Sequence, residues 1–266
     1  MHLKRWITAI IAIPILIYII GPGPRWLLYS IFFLSSLAAL SEFYNIVSNE
    51  LPRYIRVLNY TLAFLLFLIF YMNQILFAPG IIAFWAFIPI AYYMFTYSKT
   101  ESATLDAMGG SVLGPIYIVL PLAMMVLIDK RPSGNMWLFF LLAVIFANDT
   151  GAYYAGKLFG RHKLYEKVSP KKTWEGAIGG LLVSLLTAYV FLRILRIHVF
   201  DWHIFVLVLV MTIIAQIGDL AESMLKRHKG IKDSGTMLPG HGGFLDRIDG
   251  LLFSIPILYF FLIWTV

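Results

Sequence analysis

Long apolar runs separated by short polar breaks organise this chain from one end to the other. An α-helix needs roughly 17 to 25 apolar residues to cross a bilayer, and about nine such runs are present. They are centred near Ile13, Leu34, Leu65, Phe87, Leu120, Leu142, Leu185, Val208 and Leu258. Only Asn73, Gln74 and the Pro79-Gly80 turn signal divide the third from the fourth. A backbone in lipid must satisfy its own hydrogen bonds, so such runs predict helices. The expected fold is an all-α integral membrane protein, a polytopic bundle of about nine transmembrane helices. Without internal repeats or linkers, residues 1–266 are expected to form a single membrane domain. The polar breaks gather between Phe146 and Asp249, and chemistry is expected within residues 146–250.

Composition removes several classes of function. With 60% hydrophobic residues the chain is too apolar for a soluble core. Cysteine is absent, which excludes disulfides, Cys-ligated zinc, iron–sulfur clusters and thiol nucleophiles. The net charge of +7 has no soluble basic domain to carry it, so anionic lipid headgroups are a better partner than nucleic acid. Lys4 and Arg5 ahead of an apolar run imitate a signal peptide. That run ends in Gly21-Pro22-Gly23-Pro24 without a small-residue cleavage pattern, so a retained first span is expected.

With an inside N-terminus, 16 of the 21 Lys and Arg fall on one face of the membrane. They are Lys4, Arg5, Arg53, Arg56, Lys99, six between Lys157 and Lys172, and five between Lys226 and Arg247. Arg25, Lys130, Arg131, Arg193 and Arg196 fall on the other. The bias matches the positive-inside rule. The two large basic loops, separated by two spans, are therefore expected to face the cytoplasm together.

Three polar stretches carry candidate chemistry. Asn148-Asp149-Thr150-Gly151 ends the sixth span, where a carboxylate needs a partner or a wet site. Gly151 to Lys157 spells GxxxxGK, but Leu158 follows in place of Ser or Thr and no strand precedes it, which rejects a P-loop. In Ser169-Pro170-Lys171-Lys172-Thr173-Trp174-Glu175-Gly176, Ser169 reads as an N-cap and Pro170 as a helix start. The lysines there suit an anion, or plain positive-inside flanking.

The third stretch, Asp219 to Asp249, is the densest: it holds five of the fourteen acidic residues and five Lys and Arg, among Gly and Pro. On a helix, Asp219, Glu222, Ser223, Lys226 and Arg227 share one face. Gly230 and Gly235 end that helix around Lys232 and Asp233, and Pro239-Gly240-His241-Gly242-Gly243 offers backbone for close approach to a ligand. Asp246 and Asp249 then stand three apart at the start of the last span, where a helix dipole alone would suit them. The dipole disfavours Asp219 and Glu222 at the far end of their helix. Two acidic pairs joined by an antiparallel hairpin point instead to a divalent metal site.

These residues resemble the signature of the phosphatidate cytidylyltransferases, or CDP-diacylglycerol synthases. The match runs through Ser223, Leu225, Lys226, Arg227, Lys232, Asp233, Gly235, Leu238, Pro239, His241, Gly242, Gly243, Phe244, Asp246, Arg247, Ile248 and Asp249. Asn148 to Tyr153, Gly160-Arg161 and SPKKTWEG extend the likeness over the C-terminal half. The resemblance implies a multi-pass, dimeric, Mg²⁺-dependent enzyme that makes CDP-diacylglycerol and pyrophosphate from CTP and phosphatidate. It places Asp219, Asp246 and Asp249 at the metal; from the residues themselves Lys226 is expected to be a further catalytic group that binds the triphosphate, with Glu222 assisting the metal. Asn148, Lys167, Lys171, Lys172, Ser223, Arg227, Lys232, His241 and Arg247 are expected to bind substrate, the role of His241 being left open. The attacking phosphate is already ionised, so no general base is required, and positioning with charge neutralisation remains.

Rival readings are weaker. Asp246-Arg247-Ile248-Asp249-Gly250 begins like a CDP-alcohol phosphatidyltransferase motif, but no Ala-Arg or acid follows in 251–255. Asn148-Asp149 lacks the second carboxylate of intramembrane prenyltransferases. The non-enzymatic alternative is an ion-coupled transporter with Asp149 and Asp219 as cation ligands.

Overall fold

A computed structural model of the chain describes residues 14–47, 51–96, 103–235, 237 and 242–265. Their helices are α1 (Arg25–Val47), α2 (Arg53–Tyr71), α3 (Ala78–Phe95), α4 (Ala103–Gly114), α5 (Leu120–Asp129), α6 (Gly134–Phe159), α7 (Trp174–Leu195), α8 (Trp202–His228) and α9 (Asp249–Thr265). Among the described residues seven helical segments are long and apolar enough to cross a membrane. The chain is thus a multi-pass all-α membrane protein. The span expected around Leu258 is α9, whose 17 residues are shorter than the other seven. The span expected around Ile13 falls largely outside the described residues, of which 14–20 are helical.

Packing divides the chain into two compact units, Met1–Leu127 with Asp233–Leu245, and Ile128–Lys232 with Asp246–Val266. In the first, α4 and α5 form one continuous span through a π-turn at Pro115–Val119. Proline has no N–H to donate. The helix accommodates the lost bond by widening, with the Leu120 N–H reaching the Pro115 carbonyl. Buried Asn59 on α2 donates to the Tyr44 hydroxyl of α1 (2.6 Å) and to the Ser111 carbonyl of α4 (3.0 Å). One amide thereby ties three helices through bonds that lipid cannot replace.

Glu42 is the other polar anchor of this unit. It lies on α1 and is only 4% exposed. Its carboxylate accepts from the Ser234 hydroxyl (3.1 Å) and from the backbone N–H of Phe244 (3.0 Å) and Leu245 (2.8 Å). A Cβ at Gly235 would stand 2.5 Å from Glu42 Oε1, and one at Gly243 would stand 2.8 Å from Oε2. Both glycines are needed because backbone wraps directly onto the carboxylate.

In the second unit α6 and α7 approach closely over small residues. A Cβ at Gly179 would lie 2.2 Å from that of Ala155, and one at Gly180 would lie 2.6 Å from Asn148 Oδ1. Interhelical hydrogen bonds run from Ser184 Oγ to the Val144 carbonyl (2.9 Å) and from Ser254 Oγ to the Met211 carbonyl (3.0 Å). The second of these joins α8 to α9. Asp201 caps α8, accepting from the Ile204 N–H at 3.0 Å, and that bond holds its carboxyl below the usual range.

Between α6 and α7 the structure departs from expectation. Lys163–Tyr165 (β1) and Ser169–Thr173 (β2) pair as an antiparallel hairpin, with Lys163 opposite Thr173 and Tyr165 opposite Ser169. Ser169 is therefore a strand residue and not an N-cap. The cap is Thr173, whose hydroxyl accepts from the Gly176 N–H at 3.1 Å. Either residue offers a hydroxyl, and cross-strand pairing with β1 decides between them. Glu175, one residue into the helix, accepts from the backbone N–H of Arg161 (3.1 Å) and His162 (3.2 Å), which binds the hairpin to α7.

Glu42→Ala would remove the acceptor that two backbone N–H groups and the Ser234 hydroxyl share. The expected loss is about 3 kcal/mol. It should be read as a lower midpoint of thermal unfolding in detergent, with Glu42→Gln losing less. An unchanged midpoint would show that the loop from Asp233 to Leu245 does not depend on this carboxylate.

Candidate active site

Helix α8 runs beyond its apolar stretch, so its last three turns carry Gln216, Asp219, Glu222, Ser223 and Lys226. Glu222 is fully buried and Lys226 nearly so. A buried ammonium must be paired. Lys226 Nζ lies 3.0 Å from Glu222 Oε2 and 2.5 Å from Asp246 Oδ1, bridging the end of α8 to the 3₁₀ turn before α9. Asp249, at the first position of α9, is within hydrogen-bond reach of Glu222 and feels the charge of Asp219. Asp219 pairs with Lys172 of β2 at 2.6 Å, accepts from Ser223 Oγ at 3.5 Å, and is an electrostatic neighbour of Asp149.

Beside this cluster a cavity of about 500 Å³ opens between the end of α6, β2, the start of α7 and α8. That size suits a small-molecule ligand. Its polar wall comprises Asn148, Asp149, Lys157, Lys171, Lys172, Gln216 and Asp219. Asn148 Nδ2 donates to Asp149 Oδ1 (3.3 Å), and Asn148 Oδ1 accepts from Gln216 Nε2 (2.9 Å). Three cations and two carboxylates thus face one space, an arrangement suited to a phosphorylated ligand with a counter-ion.

Of the residues expected to bind substrate, Asn148, Lys171 and Lys172 line the cavity. Lys167 is exposed on the hairpin turn and does not line it. Arg227 is turned to backbone instead, donating to the carbonyls of Val168 (3.4 Å) and Ile231 (3.1 Å), and so ties the hairpin turn to the end of α8. Lys232 is exposed, as is Arg247 on the 3₁₀ turn. His241 lies outside the described residues.

The expected metal ligands can be tested against these groups. Glu222 Oε1 is buried without a donor, opposite the Asp249 carboxyl. Two facing carboxyls in a dry site need a proton or a cation between them. The donor chemistry, all carboxylate oxygen, fits a hard divalent cation. Among the described residues, however, no three acidic or histidine side chains already stand as a ligand set, and lysine ammonium groups pair with Asp219, Glu222 and Asp246.

Gln216 and Lys157 of the cavity wall, and Glu42 in the first unit, were not among the expected site residues. The signal for two of them is in the chain: Glu42 and Gln216 are lone polar side chains inside apolar runs, where a membrane helix tolerates them only with partners.

The model of the cytidylyltransferase family matches residues 3–265. The chain belongs to the cytidylyltransferase family. A phosphatidate cytidylyltransferase of Staphylococcus epidermidis is 34% identical over 267 residues, covering 98% of this chain and 99% of that protein. One of Bacillus subtilis is 38% identical over 169 residues, covering 63% of each, and one of Staphylococcus haemolyticus is 44% identical over 133 residues, about half of each. Because the first alignment spans both proteins almost completely, the family assignment extends to the N-terminal helices, which lack the C-terminal signature.

Lys226→Met would take the ammonium partner from the fully buried Glu222 and one ion pair from Asp246. Breaking such a pair costs about 3 to 5 kcal/mol. Thermal unfolding in detergent with EDTA should show it. A melting temperature equal to that of the unaltered protein would mean that these acids are not stabilised by the lysine.

Proposed function

We propose that this cytidylyltransferase transfers CMP from CTP to phosphatidate, giving CDP-diacylglycerol and pyrophosphate for phospholipid synthesis. The observation that carries the reading is the joining, within one packed unit, of a lysine-walled cavity to a cluster of carboxylates, in a chain similar over its whole length to phosphatidate cytidylyltransferases. Family membership sets aside the transporter reading of Asp149 and Asp219.

The transfer joins two anionic phosphates, so repulsion is the first obstacle. Lys171 and Lys172 on β2 offset the charge of the bound triphosphate from the cavity wall. Their strand is fastened to the N-terminus of α7 through Thr173 and Glu175, which limits what must be ordered when ligand binds. No side chain need remove a proton from the nucleophile, because the phosphatidate phosphate is ionised. Asp219, Asp246 and Asp249, with Glu222, would hold Mg²⁺. When bound, that ion would neutralise the reacting phosphates. Lys226 would balance the acids when the ion is absent and release a carboxylate to it.

The positive-inside bias of the basic loops supports a site on the cytoplasmic side with the N-terminus inside, where a water-soluble nucleotide would meet the inner leaflet of the cell membrane. A homodimer is the proposed assembly.

Protein in detergent given CTP, Mg²⁺ and phosphatidate should release pyrophosphate only when phosphatidate is present; release without it would refute the activity. Asp246→Asn should abolish turnover while the protein stays folded and inserted, and near-normal turnover would remove Asp246 from the metal set. Neutralising Lys171 and Lys172 together should raise KM for CTP or phosphatidate more than it lowers kcat. If KM for both stays unchanged, those lysines serve topology alone.

A further inference from the structure

One chain of polar groups in the cavity wall has only one self-consistent orientation. A carboxylate accepts and does not donate, so Asn148 must present its Nδ2 to Asp149, as it does at 3.3 Å. Its Oδ1 then faces Gln216, whose Nε2 donates to it at 2.9 Å. The same Nε2 donates to the Ala177 carbonyl at 3.1 Å. Reversing the Gln216 amide would set its oxygen against two other oxygens, which settles the assignment. Both N–H groups of Gln216 are therefore committed, and Oε1 is the acceptor left for a ligand, on a half-buried side chain lining the cavity.

A fixed neutral acceptor selects what it meets. Phosphate groups at neutral pH offer acceptors only, so neither a triphosphate nor a phosphatidate headgroup satisfies Gln216. Those groups suit Lys171 and Lys172 on the same wall. A cytosine base carries a 4-amino donor at its edge, where uracil carries a 4-carbonyl acceptor. An amide reads that difference without adding negative charge beside a triphosphate.

We propose that Gln216 is the base-reading residue, its Oε1 accepting from the cytosine 4-amino group. Resting on the cytidylyltransferase reading, this deepens it by naming what makes the cavity select cytidine over uridine nucleotides. Asn148 becomes a positioning residue, transmitting the polarity of Asp149 to Gln216. Uracil in the same seat would place oxygen against oxygen, and that mismatch excludes it. Buried groups left unpaired are what give polar sites their discrimination.

The test compares kcat/KM for CTP and UTP, read as phosphatidate-dependent pyrophosphate release, in the unaltered protein and in Gln216→Met. The unaltered protein should prefer CTP, and the substitution should shrink the CTP-to-UTP ratio by about tenfold or more, chiefly through KM for CTP. A ratio left unchanged, including an equal fall for both nucleotides, would overturn the inference and leave Gln216 a structural residue. Should Gln216→Met not fold, the unaltered protein answers with the 2-pyrimidinone ribonucleoside triphosphate, which lacks any group at position 4. Use about tenfold poorer than CTP supports the inference, and use equal to CTP overturns it. Equal kcat/KM for CTP and dCTP would add that the ribose 2′-hydroxyl is not the donor. Absence of any phosphatidate-dependent turnover with CTP would instead defeat the underlying activity, and the base-reading role with it.

Discussion

An ion pair buried among membrane helices governs the second unit of this protein. Lys226 stands between Glu222 and Asp246, and its ammonium offsets the desolvated charge of the fully buried Glu222. The pair does more than satisfy charge: it fixes the end of α8 against the turn that precedes α9. Asp219 and Asp249 are thereby held near the same acids, and Lys172 reaches Asp219 from the hairpin. Substituting an apolar triad could pack as well, but would not leave carboxylates available to a cation.

The same constraint recurs in other forms. In the first unit two backbone N–H groups and a hydroxyl satisfy Glu42, and glycines give them room. In the cavity wall Asp149 passes its need for donors through Asn148 to Gln216. Each polar group in a low-dielectric setting orders its neighbour, so a few such groups specify positions that apolar packing would leave interchangeable.

For a transfer between two phosphates, such ordering is most of what a protein can contribute. The nucleophile needs no activation by proton removal, and the barrier lies in bringing like charges together in line. A cavity with lysines on one strand, acids on two helix ends and an oriented amide on one of those helices meets that requirement. The hairpin that carries Lys171 and Lys172 is small, yet Thr173 and Glu175 attach it to a helix long enough to cross the membrane.

Much of this was legible in the chain. Spans of membrane length follow from hydrophobic run length, because a helix is the structure that satisfies its own backbone in lipid. The spacing of Asp219, Glu222, Ser223 and Lys226 placed them together, since helical periodicity is local. The hairpin at Lys163 to Thr173 was not legible: Ser169-Pro170 and Thr173 offer equivalent local cap signals, and pairing between segments chose the second. Arg227 shares the helical stripe in sequence, but the carbonyls of Val168 and Ile231 drew it out of the cavity. Sequence alone determined the seven membrane-length helices among the described residues and which residue types gather at their ends, because both depend on neighbours along the chain. Tertiary structure decided which acid meets which lysine, and that Asn148 and Ala177 engage the Gln216 amide nitrogen, because hydrogen bonds and ion pairs depend on groups brought close from distant positions.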